Sequence, residues 1–360
     1  IANGAAMPNL TNHTDFGIVA VNGGALTRTF TITNQGEQSL TVEAVSIGGA
    51  HPADFVVTAQ PSSPVGATSA ATFQVSFNPS AAGIRTAQVC FTNNDPNQTP
   101  FAFAIQGLGI ASVYYSVGQN TNDHKTGSPT LTITGGAGVF SEAQTAVNMG
   151  VGDRVTYNSS SVAYISGKIS TSIWTLATAI GGTPDDVTNA MVDAISHEYA
   201  SLAAAEAGAS DASHLNTTNL TLGYILNFPC YFDSAPDTIA VLIDGWMTGA
   251  GNYINIYTPN NTSNECNQSQ RHDGKWNTNA YSLVAGNGCI AICDENVRVN
   301  GLQIRATADV GYPEGLAINY VGAADIRIAN SIVQGFGNYA FVNAGGGICL
   351  YSAGSGSVVR

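Results

Sequence analysis

The residues best suited to chemistry lie in one loop, Ser269-Gln270-Arg271-His272-Asp273-Gly274-Lys275-Trp276. Trp276 could stack on a sugar face, and Arg271 could pair with a carboxylate. With His272 they form a candidate carbohydrate contact. The plainer and preferred reading is an ordered long loop with Trp276 buried. His272-Asp273 has no Ser or Cys nucleophile beside it in a recognised context. His197 and Glu198 resemble half of a zinc helix, but position 201 is Ser, so HExxH is not formed and no metal site is expected there.

Six cysteines are present, and none forms a CxxC pair, which removes the usual zinc and haem signals. Cys230 and Cys266 are the candidate disulfide, should the chain meet an oxidising compartment. Cys90 and Cys349 sit within apolar strand patterns and read as buried thiols. Asn260, Asn261 and Asn267 head Asn-x-Ser/Thr sequons in one polar loop, a candidate site for surface glycans.

The elements that must position these residues are β-rich. Only 10% of the 360 residues are charged, against about 25% in an average domain. Gly, Ser, Thr and Asn take their place, as turns and strands prefer. The net charge is -13, and the eleven Lys and Arg are scattered, so no basic stripe serves nucleic acid. No window of 18 apolar residues is present to span a membrane as a helix. The chain opens at Ile1 without a signal-like apolar run, so a processed or partial polypeptide is expected. It closes at Val358-Val359-Arg360, in what reads as mid-strand. The expectation is that the polypeptide continues or a neighbouring subunit covers that end.

Strict alternation runs through residues 14–108. Phe30 and Ile32 lie between threonines, and the same period recurs at Phe73, Val75 and Phe77, at Ala87, Val89 and Phe91, and at Phe101, Phe103 and Ile105. About seven short strands at this spacing describe an immunoglobulin-like sandwich over 1–110. A leading-in and capping region with short helices is expected over 111–236. Phe140 to Met149 reads as a helix capped by Ser141, Thr183-Pro184 as a helix start, and Ser196 to Ala207 as a helix closed by Gly208. Asp153 reads as a turn former. From about 237 to 360, short strands with Asn or Gly turns recur with a loose period in the twenties to low thirties. Val297–Ile304 is echoed by Ile326–Val333. The fold expected is all-β: a sandwich plus a right-handed parallel β-helix with a short capping helical segment.

Asp15-Phe16-Gly17, Arg28 to Gly36, Asp54-Phe55, Phe73 to Pro79, Asn93-Asn94-Asp95 and Phe101 to Gly107 stand in an order that resembles the choice-of-anchor D domain. That module is related to the abnormal-spindle/hydin group. The resemblance implies a spacer in a large secreted or surface-attached protein and carries no catalytic residues. The later region resembles, at fold level, the pectin-lyase-like β-helix superfamily, which hosts lyases and hydrolases of acidic polysaccharides and many non-enzymes. A lyase site would need carboxylates holding calcium, the one ion left open as a cofactor, and an Arg or Lys as base. Asp294, Glu295, Asp309, Glu314 and Asp325 are the candidate acids, with Arg298, Arg305 and Arg327. Arg298 and Arg327 fall at equivalent places and should stack outward, most plainly as an exposed charged ladder.

These readings lead to an extracellular structural protein that self-associates with identical subunits into a filament, sheath or surface layer. A glycan-binding adhesin is the close alternative. The enzyme alternative is a polysaccharide lyase or hydrolase.

Overall fold

The computed structural model describes residues 1–21, 23–286, 288–307, 314–319, 325–335 and 347–351, and the backbone of 358–359. Asp309, one of the candidate acids, lies outside the described residues. The chain is all-β and divides into two compact units, Ile1–Ala111 and Ser112–Arg360.

The first unit holds β1 (Asp15–Ala20), β2 (Leu26–Thr33), β3 (Ser46–Gly48), β4 (Phe55–Ala59), β5 (Ala70–Phe77), β6 (Gly83–Phe91) and most of β7 (Phe101–Tyr114). One sheet runs β2-β5-β4, all antiparallel. The other runs β3-β6-β7, with β1 parallel to β7. The alternation seen in the sequence sends Phe30, Phe73, Val75, Phe77, Val89, Phe103 and Ile105 into one core between the sheets. Threonines at the intervening β2 positions face solvent.

The second unit begins with a closed barrel in the order β10-β11-β12-β9-β8-β13. Its strands are β8 (Thr130–Thr134), β9 (Ala137–Phe140), β10 (Arg154–Tyr157), β11 (Ser161–Lys168), β12 (Ile173–Ala177) and β13 (Val187–Ser196). Leu131, Ile133, Phe140, Val155, Ile165, Trp174 and Val192 fill it. The barrel overturns two helices expected from local signals. Residues after Phe140 form no helix: Ser141 accepts the Thr130 N–H, and buried Gln144 ties its side chain to Thr126 and Glu142. The Thr183-Pro184 start is followed by β13, because Ala190, Val192 and Ile195 close the barrel against β8 and β10. Closure outweighs local helix preference. The third expected helix forms late, as α1 (Leu202–Gly208), since β13 holds the chain extended to Ser196. The Ser201 hydroxyl accepts the Ala204 N–H as its cap, and Ala209 rather than Gly208 closes it.

After α1 come β14 (Tyr224–Pro229), β15 (Val241–Ile243), β16 (Ile254–Tyr257), β17 (Ser282–Ala285), β18 (Ile290–Ile292), β19 (Val297–Asn300), β20 (Gln303–Ala306), β21 (Leu316–Ile318), β22 (Asp325–Ala329), β23 (Ile332–Gln334), β24 (Ile348–Leu350) and β25 (Val358–Val359). Three parallel sheets result: β14-β16-β19-β22-β25, β15-β18-β21-β24 and β17-β20-β23. Successive strands enter different sheets, and from β15 each third strand lies beside its predecessor in register. Leu226, Ile254, Val297 and Ile326, with Val241, Ile290 and Leu316 and with Leu283 and Ile304, share one core. Leu202 and Ala205 of α1 join that core and contact β15.

Candidate functional site

The loop chosen from the sequence is an ordered corner. Arg271 donates from Nε to Thr258 Oγ1 (3.3 Å) and from Nη2 to the Thr258 carbonyl (3.1 Å). It lies over Gly301, where any Cβ would collide with its guanidinium. Burial lowers its pKa, partly offset by Glu265 and Tyr257. His272 Nδ1 accepts the Gly274 N–H (3.0 Å), and its Nε2 is enclosed without a partner. Trp276 is half-buried rather than buried, and the Arg305 guanidinium sits 3.8 Å from its ring centroid. Arg271, His272 and Trp276 are thus each engaged within the protein.

The remaining candidates serve separate tasks. Arg298 and Arg327 are register partners on β19 and β22, as the repeat implied. Arg298 covers the Tyr253 ring at 3.2 Å, and Arg327 Nε pairs with both Asp325 oxygens (3.1 and 3.0 Å). Glu314 accepts the Tyr351 hydroxyl. The Thr248 hydroxyl donates to the Glu295 carbonyl. Asp294 accepts the N–H groups of Gly245 (3.0 Å) and Trp246 (3.2 Å). Among the described residues no three His, Cys, Asp or Glu side chains are grouped to hold a metal ion.

The candidate disulfide is not formed. Cys230 and Cys266 are both free and buried. Cys230 Sγ donates to the Phe228 carbonyl and Cys266 Sγ to the Asn261 carbonyl, so each thiol is used within its own strand or loop. Burial pushes Cys266 up to about 12, and Cys230 well above its ordinary value. Asn260 and Asn261 are exposed. Asn267 is not: its amide donates to the carbonyls of Gln144 (3.0 Å) and Ala146 (2.9 Å), which removes it from the exposed sequons.

The cluster richest in titratable groups went unread in the sequence. His197, at the end of β13, is enclosed between two carboxylates. Its Nδ1 lies 2.7 Å from Asp153 Oδ1, and its Nε2 lies 3.4 Å from Asp233 Oδ2. His124 Nε2 approaches the other Asp153 oxygen at 3.3 Å. The Gly150 N–H also donates to that oxygen. Asp233 takes the Asn120 N–H and the Asn148 amide. The Tyr231 ring stacks on His197, with centroids 4.8 Å apart. Gly118 closes the remaining side, where a Cβ would collide with His197 and Asp233. Burial alone would lower the His197 pKa, but Asp153 and then Asp233 outweigh it and raise it to about 9. Burial would raise Asp153, but His197 and His124 bring it down to about 2. Asp233 is lowered for the same reason, against its own burial.

His197 is therefore an imidazolium at neutral pH, and the cluster is an enclosed ionic tie. It joins the loop after Val117, the Gly150–Asp153 turn, the end of β13 and the segment after Cys230. Asp153, read as a turn former, does accept from the turn N–H, and it also holds two histidines. His197 and Asp153 are 44 residues apart in the chain, so spacing alone gave no sign of their contact. A smaller tie lies alongside: Glu198 meets His214 at 2.9 Å, and His214 packs edge-on to Tyr115.

No family model and no curated protein matches this chain. Among solved structures, the secreted serine protease VesC from Vibrio cholerae aligns with 52% of this chain and 45% of its own length, at 13% identity and a TM-score of 0.23. The alignment spans less than half of that protein, and a likeness at this level carries no argument.

Proposed function

We propose that this chain is an extracellular structural protein of the cell surface that self-associates into a filament, sheath or layer. In this reading the first unit is an immunoglobulin-like sandwich of the choice-of-anchor D kind, acting as a spacer. The three parallel sheets are coils of a right-handed β-helix, and α1 shields their first coil. One observation carries the reading. Strands stack in register within three parallel sheets, while the richest cluster of titratable side chains lies inside, spent on one another as an ionic tie. That is the economy of a scaffold: rigidity from repetition, with charge used as internal fastening. The Asn255 amide donating to Asn227 and the Asn330 amide donating to Asn300 add side-chain rungs between neighbouring strands. The free thiols lend the secreted reading no support.

Electron microscopy of the protein as released from cells, without refolding, tests it. Ordered filaments or sheets are expected; dispersed particles at all concentrations would overturn assembly.

A carbohydrate-binding adhesin is the second reading. It is favoured by Arg298 on Tyr253 and Arg305 on Trp276, two cation–aromatic pairs on neighbouring strands of one coil. Binding to immobilised acidic glycans that is lost in Arg298→Ala would support it. The polysaccharide lyase or hydrolase reading, with calcium, rests on the fold resemblance alone.

A further inference from the structure

β15 begins the sheet β15-β18-β21-β24, and α1 packs against it. Leu202 and Ala205 of α1, with Ala209 at its end, are buried in the shared core. The turn that follows β15 is Asp244-Gly245-Trp246, and Gly245 holds a φ of 92°, a conformation that a side chain resists. Two carboxylates grip this one turn. From α1, Glu206 accepts the Trp246 indole N–H (3.1 Å), and the Asp244 N–H favours the same carboxylate. From the segment after β18, Asp294 accepts the main-chain N–H groups of Gly245 (3.0 Å) and Trp246 (3.2 Å). Ile243 pairs with Ile292 in register, which sets the ends of the two strands side by side. The Trp246 ring is buried.

The grip is made of like charges. Asp244 acts on Glu206, and both act on Asp294. No Lys, Arg or His is among the groups that shift either Glu206 or Asp294. Cys293, beside Asp294, is raised by its burial and then by Asp244 and Asp294, so its thiol supplies no opposing charge. Glu295 follows, a further acid in the same segment. Glu206 is the one titratable side chain within α1.

We infer that α1 is a latch on β15, closed more tightly in acid than at neutral pH. With α1 docked, Glu206 is half-buried and Asp294 is 7% exposed. Ionising either one places charge in a partly enclosed turn that already holds an acid. Burial is the first cause that raises both groups, and Asp294 is pushed up to about 6. An acid raised by docking costs nothing below its free value, and it weakens the docked state as pH climbs through its docked value. Lifting α1 returns Glu206 to water and takes one like charge away from Asp244 and Asp294, so ionisation favours the lifted form. A neutral carboxylic acid still accepts hydrogen bonds, so protonation removes the repulsion and keeps the grip. Among the described residues β15 has a strand partner, β18, on one side only. Opening the latch therefore bares the strand at which its sheet begins. The latch is independent of whether the chain assembles.

Hydrogen exchange on the full chain tests it, read by mass spectrometry between pH 4.5 and pH 8 and corrected for the intrinsic pH dependence of exchange. Peptides covering α1 (Leu202–Gly208) are compared with peptides covering the barrel strand β11 (Ser161–Lys168). In the parent, protection of α1 should fall about tenfold relative to β11 as pH rises. Glu206→Gln keeps an oxygen for the Trp246 indole and should flatten that fall. Asp244→Asn, at an exposed position, should flatten it in part. Protection of α1 that ignores pH would overturn the inference. So would a Glu206→Gln chain whose pH dependence matches the parent. Protection lost equally from α1 and β11 would mean that the whole fold loosens, and would overturn the latch as well.

Discussion

Asp153 and Asp294 are both buried carboxylates in the second unit, and their acidities move in opposite directions. Asp153 falls to about 2, because His197 and His124 outweigh its burial. Asp294 rises to about 6, where burial is the largest cause and the neighbouring Asp244 and Glu206 add to it against two backbone N–H donors. Glu206 is raised as well, by its own burial, although it accepts the Trp246 indole N–H (3.1 Å). Burial pushes both carboxylates up; the two histidines reverse that at Asp153, and at Asp294, beside the acidic Asp244 and Glu206, burial prevails. One cluster fastens the fold and the other strains it as it ionises.

The sharpest way to break this comparison is His197→Leu. It leaves Asp153 and Asp233 enclosed without their cation, and should cost about 3–5 kcal/mol in chemical denaturation at neutral pH. A loss within about 1 kcal/mol would mean the tie is not ionic. Gly118→Ala tests the enclosure itself. The new methyl must displace His197 or Asp233, and a loss of about 1–3 kcal/mol is expected in thermal unfolding.

The pH profile separates the two clusters. The raised His197 contributes its full stability below its unfolded value of 6.5 and loses it as pH climbs through about 9. The depressed Asp153 contributes fully above 3.8 and loses it as pH falls through about 2. Asp294 acts in the opposite sense: its penalty is nil below 3.8 and grows as pH rises through about 6. Asp294→Asn should therefore gain about 1–2 kcal/mol on the parent between pH 4 and pH 8, read as a diverging pair of melting curves. A constant offset between the curves would remove Asp294 as the source of strain. The smallest effect belongs to Trp276→Ala. Its partly exposed contact with Arg305 is worth about 1 kcal/mol or less, so its denaturation midpoint should barely move.

What was legible in the sequence follows period and what was not follows distance. Phe30 and Ile32 between threonines identify β2 without help, and Arg298 above Arg327 follows from the repeat. The helix expected at Thr183-Pro184 failed because Val187–Ser196 closes a barrel with β8, more than fifty residues earlier in the chain. A local start signal cannot carry that information. The cysteine expectation failed likewise: Cys230 and Cys266 each found a nearby carbonyl. His197 was weighed only against a zinc motif and Asp153 only as a turn. Asp233, the third member of their cluster, carried no local signal at all.

The ladder steps along the parallel sheets differ in length. Asn255 follows its rung partner Asn227 by 28 residues, and Asn330 follows Asn300 by 30. Between them the Thr258 hydroxyl bonds the Gly301 carbonyl across 43 residues, and Tyr257 still pairs with Asn300 in register. The additional length is the excursion that holds Asn260, Cys266, Arg271 and Trp276. The segment leaves the stack and returns in phase, and on the way it is fastened at several points: Arg271 to Thr258, Asn267 to the carbonyls of Gln144 and Ala146, and the Asn277 carbonyl to the Gln303 amide. The excursion is therefore a clasp as well as a detour, and trimming it would undo bonds to strands on either side of it.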